Sequence, residues 1–325
     1  MAELRWHPLI KDWIMIASHR QNRPQMPKDW CPFCPGSGKV PDQYDVYKYD
    51  NDFPALSQNP PVPDDVETNI YKTKEAYGKC EVILYSPEHT TTLPELPVEH
   101  VKKLVDLWTE RFIEIKKDEK IKYIFIFENR GEVVGVTMPH PHGQIYGYSV
   151  IPKKLELELE SSKEHFDATG NCLFCDMLKD EIQFGERVIF ENEDFITFLP
   201  FFSEYPYGVY IASKKHLQNI TQFNEEQKYN LAKIIRETAG MLDSLFGYPF
   251  PYMMCMHQDP VNSGDFSDYY HFHIEFFPPM RSAEKQKFNA SSETGAWAHC
   301  NPTAPEEKAE ELRQAYKRFL EKDKK

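Results

Sequence analysis

Apolar positions in the first half of the chain form short runs on either side of one long periodic segment. The runs at 82–85, 121–127 and 145–150 are rich in β-branched and aromatic residues, which predicts buried strands. Residues 93–117 have an early proline and then apolar residues at helical spacing, which predicts a helix. The apolar positions of that helix are Val101, Leu104, Val105, Trp108 and Phe112.

The second half repeats this order of strands around one helix. Residues 227–246 show the helical spacing. The predicted strands of this half are 188–190, 195–198, 207–212, 252–256 and 271–277. Two units of strands with one main helix each predict an α+β protein with two domains, residues 1–160 and 161–325.

Three further segments have less regular patterns. Residues 19–65 are rich in Pro, Asp and Asn, which predicts long loops held by other contacts. Residues 152–162 alternate like a strand, but their Leu and Glu favour a helix, which we prefer. Residues 306–325 predict a charged amphipathic helix that packs Leu312, Tyr316 and Leu320 on its own domain.

Composition and charge narrow the class of protein. The 325 residues carry a net charge of −13, and Lys and Arg cluster only in the C-terminal tail, which argues against nucleic-acid binding. An anionic substrate would therefore need a few local arginines. The sequence has no apolar leader and no run near the roughly 18 apolar residues that span a bilayer. We expect a cytoplasmic protein that uses its seven cysteines for metal or redox chemistry rather than disulfides.

The reactive residues repeat in the same order in both halves. The first half has Cys31 and Cys34 in a Cys-x-x-Cys motif, then His89, then His140 in a His-x-His motif. The second half has the same series, in the order Cys172, Cys175, His216 and His271. The two histidines of each set are 51 and 55 residues apart. Thiolate and imidazole suit zinc, so we predict one structural Cys₂His₂ zinc at the first set and a second zinc at the repeated set. Either cysteine pair alone would fit a redox pair or buried thiols equally well.

This assignment leaves His142 of the His140-Pro-His142-Gly-Gln144 segment for other chemistry. A histidine beside a glycine and an amide can act as a nucleophile toward phosphorus. Gly143 lets a phosphate approach the backbone, and Gln144 can hold a phosphoryl oxygen without titrating. We expect Pro141 and a turn at Gly143 to direct His142 away from the zinc site. A structural role for His142 in the core or behind the zinc ligands is the alternative.

These residues resemble the galactose-1-phosphate uridylyltransferase family, a branch of the histidine-triad superfamily. The resemblance is strongest at His140–Gln144 and in the flanking blocks ENRGEVVGVTMPHPHGQ and YSPEHTTTLPEL. It implies duplicated histidine-triad-like domains with antiparallel sheets and helices packed on one side, and a homodimer. It also implies exchange of UMP between UDP-glucose and galactose 1-phosphate through a uridylyl group on His142, with Gln144 holding the phosphoryl oxygens.

The resemblance further implies which residues contact the substrates. Arg20, Arg23, Asn129 and Thr137 stand where family members bind phosphates, beside Gly143. Asn51, Asp52 and Phe53 stand where they bind ribose and uracil. Lys287, Phe288 and Glu293 stand where they hold the sugar, in relatives partly from the neighbouring subunit.

Two departures from the family pattern leave alternatives open. Some bacterial relatives hold a second metal on one Glu and three His, and Glu158, His257 and His273 match three of these ligands, but Glu275 stands at the fourth position. Because His271 and His273 share one predicted strand, we expect this set and the second Cys₂His₂ set not to be filled independently, and we favour Cys₂His₂. The segment 287–300 also departs from the family text, which leaves the hexose open.

Two other functions remain possible on the sequence. One is adenylyl transfer by an ADP-glucose phosphorylase-like enzyme, although such relatives resemble His-Pro-His-Ser-Gln rather than the Gly143 form. The other is a zinc-stabilised nucleotide-binding module without catalysis.

Overall fold

The architecture is that of a computed structural model, which describes residues 2–22 and 30–324, without the side chain of residue 22. The predicted phosphate-binding Arg23 lies outside these residues. The strands of the described part are β1 (Ala2–His7), β2 (Asp12–Ala17), β3 (Tyr47–Asp50), β4 (Thr73–Glu75), β5 (Gly78–Leu84), β6 (Tyr123–Arg130), β7 (His142–Tyr148), β8 (Val188–Glu191), β9 (Phe195–Phe198), β10 (Tyr210–Ser213), β11 (Tyr252–His257) and β12 (His273–Phe277). The helices are α1 (Val98–Lys116), α2 (Lys153–Thr169), α3 (Leu173–Phe184), α4 (Glu225–Phe246), α5 (Ser291–Ala296) and α6 (Pro305–Asp323).

Most strands belong to one antiparallel sheet of nine strands in the order β3-β5-β7-β6-β11-β12-β10-β9-β8. The first four come from the first half of the chain and the last five from the second. The halves join where β6 pairs with β11, with Phe127 opposite Cys255. A separate three-stranded sheet has the order β2-β1-β4. The sheet is thus continuous across the predicted boundary at residue 160, and the division into two domains stays a prediction.

The two faces of the large sheet pack against different parts of the protein. Ile126, Ile145 and Ile274 belong to one buried cluster with the apolar faces of α1, α4 and α6. Their strand neighbours point the other way, because side chains alternate along a strand. Part of this second face is covered by α3, whose Leu178 packs with Phe198. We call the first side the helix face and the second the open face.

The helices begin and end as their sequences favour. α4 begins after Asn224, whose side chain accepts from the backbone N–H of Gln227, while the Gln227 side chain accepts from the N–H of Asn224. It ends at Gly247, which adopts the left-handed conformation that a side chain would disfavour. The helices predicted near 93–117, 227–246 and 306–325 are confirmed as α1, α4 and α6, and the preferred helix at 152–162 is confirmed as α2.

The sequence patterns missed several elements. β1, β2 and β4 were not predicted, and β3 lies inside the region expected to be loops. The buried face of α6 includes Leu312 as predicted, but it continues through Ala315 and Phe319, while Leu320 is only half-buried.

A buried ion pair fixes α1 to the sheet. Arg111 of α1 donates from Nε and Nη2 to the two carboxylate oxygens of Glu81 in β5, at 2.9 and 2.8 Å. The Glu81 side chain is fully buried. Since Glu81 stands opposite Ile145 of β7, this pair holds the helix against the strands that carry His142.

Helices in the described part of the chain lack the combination of length and apolar character that a membrane span needs.

Candidate active site and metal centres

His142 is the first residue of β7, and Gly143 is an ordinary strand residue paired with Ile83. The predicted turn at Gly143 is therefore wrong. His140 precedes β7 and lies with the cysteines, whereas His142 is already part of the strand. The start of β7 therefore separates the two histidines. Ile145 points to the helix face, so His142 and Gln144 lie on the open face.

The two histidines of the motif are linked through the backbone. Nδ1 of His142 lies 2.7 Å from the carbonyl oxygen of His140. A carbonyl oxygen only accepts hydrogen bonds, so Nδ1 carries the proton and Nε2 carries the lone pair of the neutral ring. The contact fixes both the tautomer and the orientation of the imidazole.

Cys31, Cys34, His89 and His140 come together as the sequence predicts. Their ligand atoms all lie within 4.8 Å of one another. The Sγ to Nδ1 distances are 3.7 Å for Cys31 and His140, 3.5 Å for Cys34 and His89, and 3.8 Å for Cys34 and His140. A tetrahedral zinc with usual bond lengths has sulfur–nitrogen edges of about 3.6 Å, so this set fits zinc.

The surroundings of His140 also suit a metal ligand. Its Nε2 donates to the carbonyl oxygen of Ser86 at 2.8 Å, which leaves Nδ1 to face the thiols. Burial lowers the pKa of His140 to about 4, so the ring is neutral at pH 7, as a metal ligand must be.

The second repeat builds the same arrangement from Cys172, Cys175, His216 and His271. These ligand atoms also lie within 4.8 Å of one another. Nδ1 of His216 and of His271 lie 3.4 and 3.3 Å from Sγ of Cys175. Nε2 of His271 donates to the carbonyl oxygen of Ser213 at 2.8 Å, as His140 does to Ser86. This set fits zinc for the same reasons as the first.

Glu158, His257, His273 and Glu275 form a third group, with ligand atoms within 4.8 Å of one another. His271 precedes β12 and joins the cysteines, whereas His273 lies in β12 and joins the carboxylates. The reason for expecting that this set and the second Cys₂His₂ set would not be filled independently, their shared strand, is therefore removed, because the two histidines belong to separate groups. The positive charge of Lys154 lies beside this third group, because its Nζ is 2.5 Å from Glu275 and 4.0 Å from Glu158.

A cavity of about 250 Å³ opens beside His142 at the ends of β6 and β7. The predicted phosphate-binding residues Asn129 and Thr137 line it together with His142. The cavity thus brings together the proposed nucleophile and two of the polar groups assigned to phosphate.

Three other residues that line this cavity, Tyr85, Glu128 and Arg130, were not predicted as site residues. Burial raises the pKa of Glu128 to about 7, against the lowering effect of Arg130 and of two tyrosine hydroxyls. The available signal was a glutamate directly after the apolar run YIFIF of one predicted strand, since a buried carboxylate in a strand usually has a specific role.

The predicted uridine-binding segment lies near the same face. Phe33 contacts both His142 and Tyr49, with ring centroids 6.2 and 5.3 Å apart, and the Tyr49 hydroxyl donates to Asp52 at 3.0 Å. The Asn51 side chain accepts from the backbone N–H of Phe53 at 2.9 Å.

Arg20, a predicted phosphate-binding residue, lies in the short helical turn Ser18–Asn22. That turn reaches the uridine segment because Nε2 of His19 lies 3.1 Å from the carbonyl oxygen of Pro54. The described contacts thus bring Arg20 and residues 51–53 into one neighbourhood.

The predicted sugar-binding residues lie elsewhere in the chain. Lys287 packs over the ring of Tyr205 and lies 3.9 Å from Glu293, whereas Phe288 is largely exposed. Among the described residues, none of Lys287, Phe288 and Glu293 lines the cavity beside His142.

Comparison with known proteins agrees with this geometry over nearly the whole chain. The families described as "Galactose-1-phosphate uridyl transferase, N-terminal domain" and "C-terminal domain" match residues 1–152 and 158–320. The galactose-1-phosphate uridylyltransferase of Thermotoga maritima is 39% identical over 315 residues, which are 97% of this chain and 98% of that protein. The protein of the same name from Saccharomyces cerevisiae is 33% identical over 318 residues, 87% and 86% of the two chains.

Solved structures give the same result. One described as "Structure of uridylyltransferase" has a TM-score of 0.90 and 31% identity, and covers 98% of this chain and 99% of its own. An ADP-glucose phosphorylase from Arabidopsis thaliana with bound ADP-glucose has a TM-score of 0.74 and 25% identity, with coverage of 96% and 99%. The chain therefore belongs to the galactose-1-phosphate uridylyltransferase family.

Proposed function

We propose that this protein exchanges UMP between UDP-glucose and galactose 1-phosphate through a covalent uridylyl group on Nε2 of His142. The observation that carries the proposal is the hydrogen bond from Nδ1 of His142 to the carbonyl oxygen of His140. It supports Nε2 as the nitrogen whose lone pair attacks phosphorus. It also supports a stable adduct, because the same carbonyl oxygen accepts from the ring N–H when the substituted imidazole becomes positive.

The two half-reactions balance without an added acid or base. In the first, the Nε2 lone pair forms a bond to the α-phosphorus of UDP-glucose, and the bond from that phosphorus to the bridging oxygen breaks. Glucose 1-phosphate leaves as a stable anion. In the second, a phosphate oxygen of galactose 1-phosphate attacks the uridylyl phosphorus, and the bond to Nε2 breaks and returns the lone pair. Gln144, Asn129 and Thr137 would hold the phosphoryl oxygens, which suits side chains that donate without titrating.

Each Cys₂His₂ set would hold one structural zinc. Zinc on His140 would fix the residue whose carbonyl oxygen orients His142, so the first metal would act on catalysis only through the backbone. Zinc-bound thiolates fit a reducing compartment, and we propose a cytoplasmic location on that ground.

Intact-protein mass spectrometry tests the reaction. UDP-glucose should add one uridylyl group to the protein, and galactose 1-phosphate should remove it. His142→Asn should abolish the adduct. The matched control is His165→Asn, which changes a half-buried histidine of α2 that contacts Asp176, and which should be labelled like the wild type. Full labelling of His142→Asn would exclude this nucleophile.

Adenylyl transfer is the second candidate, favoured by the likeness to the ADP-glucose phosphorylase. Labelling by ADP-glucose but not by UDP-glucose would establish it instead. Binding of nucleotide with no adduct from either sugar nucleotide would support the non-catalytic module.

We also propose that a homodimer completes the sugar site. The placement of Lys287 and Phe288 away from the cavity beside His142 supports a contribution from a second copy. In such a dimer, each site pairs His142 of one chain with Lys287 of the other. Mixing inactive His142→Asn with inactive Lys287→Ala should then restore activity, because a mixed dimer contains one intact site. No recovery after verified subunit exchange would contradict a shared site.

A further inference from the structure

The backbone at Gly143, between His142 and Gln144, is tightly enclosed on the helix face. A Cβ atom placed on Gly143 would lie 2.3 Å from the hydroxyl oxygen of Tyr85 and 3.0 Å from the carbonyl oxygen of Phe127. The conformation is not the reason for glycine here, because Gly143 is an ordinary strand residue. Glycine is required at this position because the Tyr85 hydroxyl occupies the volume of a side chain.

A buried carboxylate holds that hydroxyl in place. Tyr85 donates to one oxygen of Glu128 at 3.2 Å, and Tyr252 donates to the other oxygen at 3.2 Å. Tyr85, Tyr252 and Glu128 are all buried. A phenol can donate one proton and can also accept, so both hydroxyls donate to Glu128 together only when Glu128 is ionised. A protonated carboxyl would instead donate to one of the two hydroxyls.

The nearby charges do not neutralise Glu128 by direct contact. Arg130, on the same strand, donates from Nη1 and Nη2 to Asp243 of α4, at 2.8 and 2.9 Å, and packs over the ring of Tyr252. The charged and titratable groups around Glu128 are therefore two phenols and one arginine already paired with an aspartate. This arrangement fixes the Tyr85 hydroxyl more closely than packing alone would.

We propose that Tyr85, held by Glu128, is a positioning residue that sets the depth of the His142–Gln144 backbone relative to the bound phosphoryl group. The proposal rests on the proposed transfer at His142. Tyr85 acts from behind the strand, and its hydroxyl determines how far Gly143 can move toward the helix face. His142 and Gln144 project from the opposite face, so any such movement shifts both of them relative to phosphorus.

The ionisation of Glu128 should therefore appear in the rate of transfer. The pKa of Glu128 is raised by burial to about 7. As the pH falls through that value, the carboxyl gains a proton, one of its oxygens becomes a donor, and one phenol must accept from that oxygen instead of donating to it. Glu128→Gln resembles the protonated form, because its amide accepts at one atom and donates at the other.

The test compares two tyrosines that bind the same carboxylate. Tyr85→Phe removes the hydroxyl beside Gly143, whereas Tyr252→Phe removes a hydroxyl that is not among the three atoms nearest to a Cβ on Gly143. Tyr85→Phe should lower kcat roughly tenfold with KM within about twofold, because small displacements of a nucleophile affect the chemical step. Tyr252→Phe should keep kcat within about twofold of the wild type. Thermal unfolding of both variants checks that they are folded. Equal kcat values in the two variants would overturn the proposal.

A second variant pair tests the steric contact directly. Gly143→Ala should lose activity in the wild-type background and recover part of it when combined with Tyr85→Phe. Recovery is only partial because the Tyr85 ring carbon and the Phe127 carbonyl oxygen remain about 3 Å from the new methyl group. A double variant no more active than Gly143→Ala alone would overturn the proposal.

The pH profile provides a readout that a purely structural role would not change. The kcat of Glu128→Gln divided by that of the wild type should fall as the pH rises from about 6 to 8. This ratio cancels the ionisation of the substrate phosphate, which is common to both proteins. A constant ratio would count against the proposal. If ADP-glucose labels the wild type and UDP-glucose does not, the proposed uridylyl transfer fails, and the same variants are measured with ADP-glucose.

Discussion

Breaking the buried ion pair between Arg111 and Glu81 should destabilise the protein strongly. Arg111→Ala removes two N–H donors, at 2.9 and 2.8 Å, from a carboxylate with no exposed surface. Loss of one partner of a buried pair costs about 3–5 kcal/mol, because the remaining charge is desolvated. At about 2 °C per kcal/mol for a chain of this size, the Tm should fall by roughly 6–10 °C.

Thermal unfolding at one scan rate measures this effect, and α1 supplies a matched control. Lys103 of α1 pairs with Asp45, and both side chains are more than half exposed. Lys103→Ala should therefore change the Tm by no more than about 2 °C. The double variant Arg111→Met with Glu81→Leu removes both charges, so its Tm should be higher than the Tm of Arg111→Ala. If Arg111→Ala unfolds within about 2 °C of the wild type, loss of the arginine does not leave Glu81 as an isolated buried charge.

Three further outcomes are expected. Cys31→Ser and Cys172→Ser should each lower bound zinc by one ion per chain, as measured by elemental analysis, and unchanged metal content in either would argue against that site. Since the pKa of Glu128 is raised by burial to about 7, the folded state binds its proton more tightly than the unfolded state, and stability falls as the pH rises from about 4.5 to 7. Glu128→Gln should remove this decline, so its Tm relative to the wild type should be higher at pH 8 than at pH 4.5. Gly240→Ala should lower stability by about 1–3 kcal/mol in denaturant unfolding, because its Cβ would lie 2.2 Å from the buried Phe319 ring, and combination with Phe319→Leu should restore part of the loss.

Strong local patterns allowed much of the fold to be predicted. The helical spacing of α4, with its Asn224 cap and Gly247 end, is fixed by residues close in sequence. The apolar run of β6 is equally clear. By contrast, β1 and β2 have a mixed polar pattern with exposed Ile14 and Met15, and they form because they pair with each other and with β4. Such pairing depends on tertiary contacts that no local pattern contains.

In the candidate site, too, some features could be predicted from the sequence and others depend on tertiary contacts. The Cys₂His₂ sets were predictable because zinc chemistry restricts the residue types and the duplication repeats them in order. The placement of Gly143 in a strand was missed because a glycine before an amide is also typical of turns. The need for glycine comes from Tyr85, which is far from Gly143 in sequence, so only the folded structure reveals it.

The pairing of β6 with β11 has a consequence for how this chain can be divided. In residues 1–152 alone, β6 would keep β7 on one side and expose its other edge, with Phe125 and Phe127 on one of its faces. An exposed apolar edge is a template for adding strands from other molecules. The second half alone would expose β11 in the same way. Each half of the chain therefore covers a strand edge of the other, and we predict that a cut in the linker before α2 would give two aggregation-prone fragments.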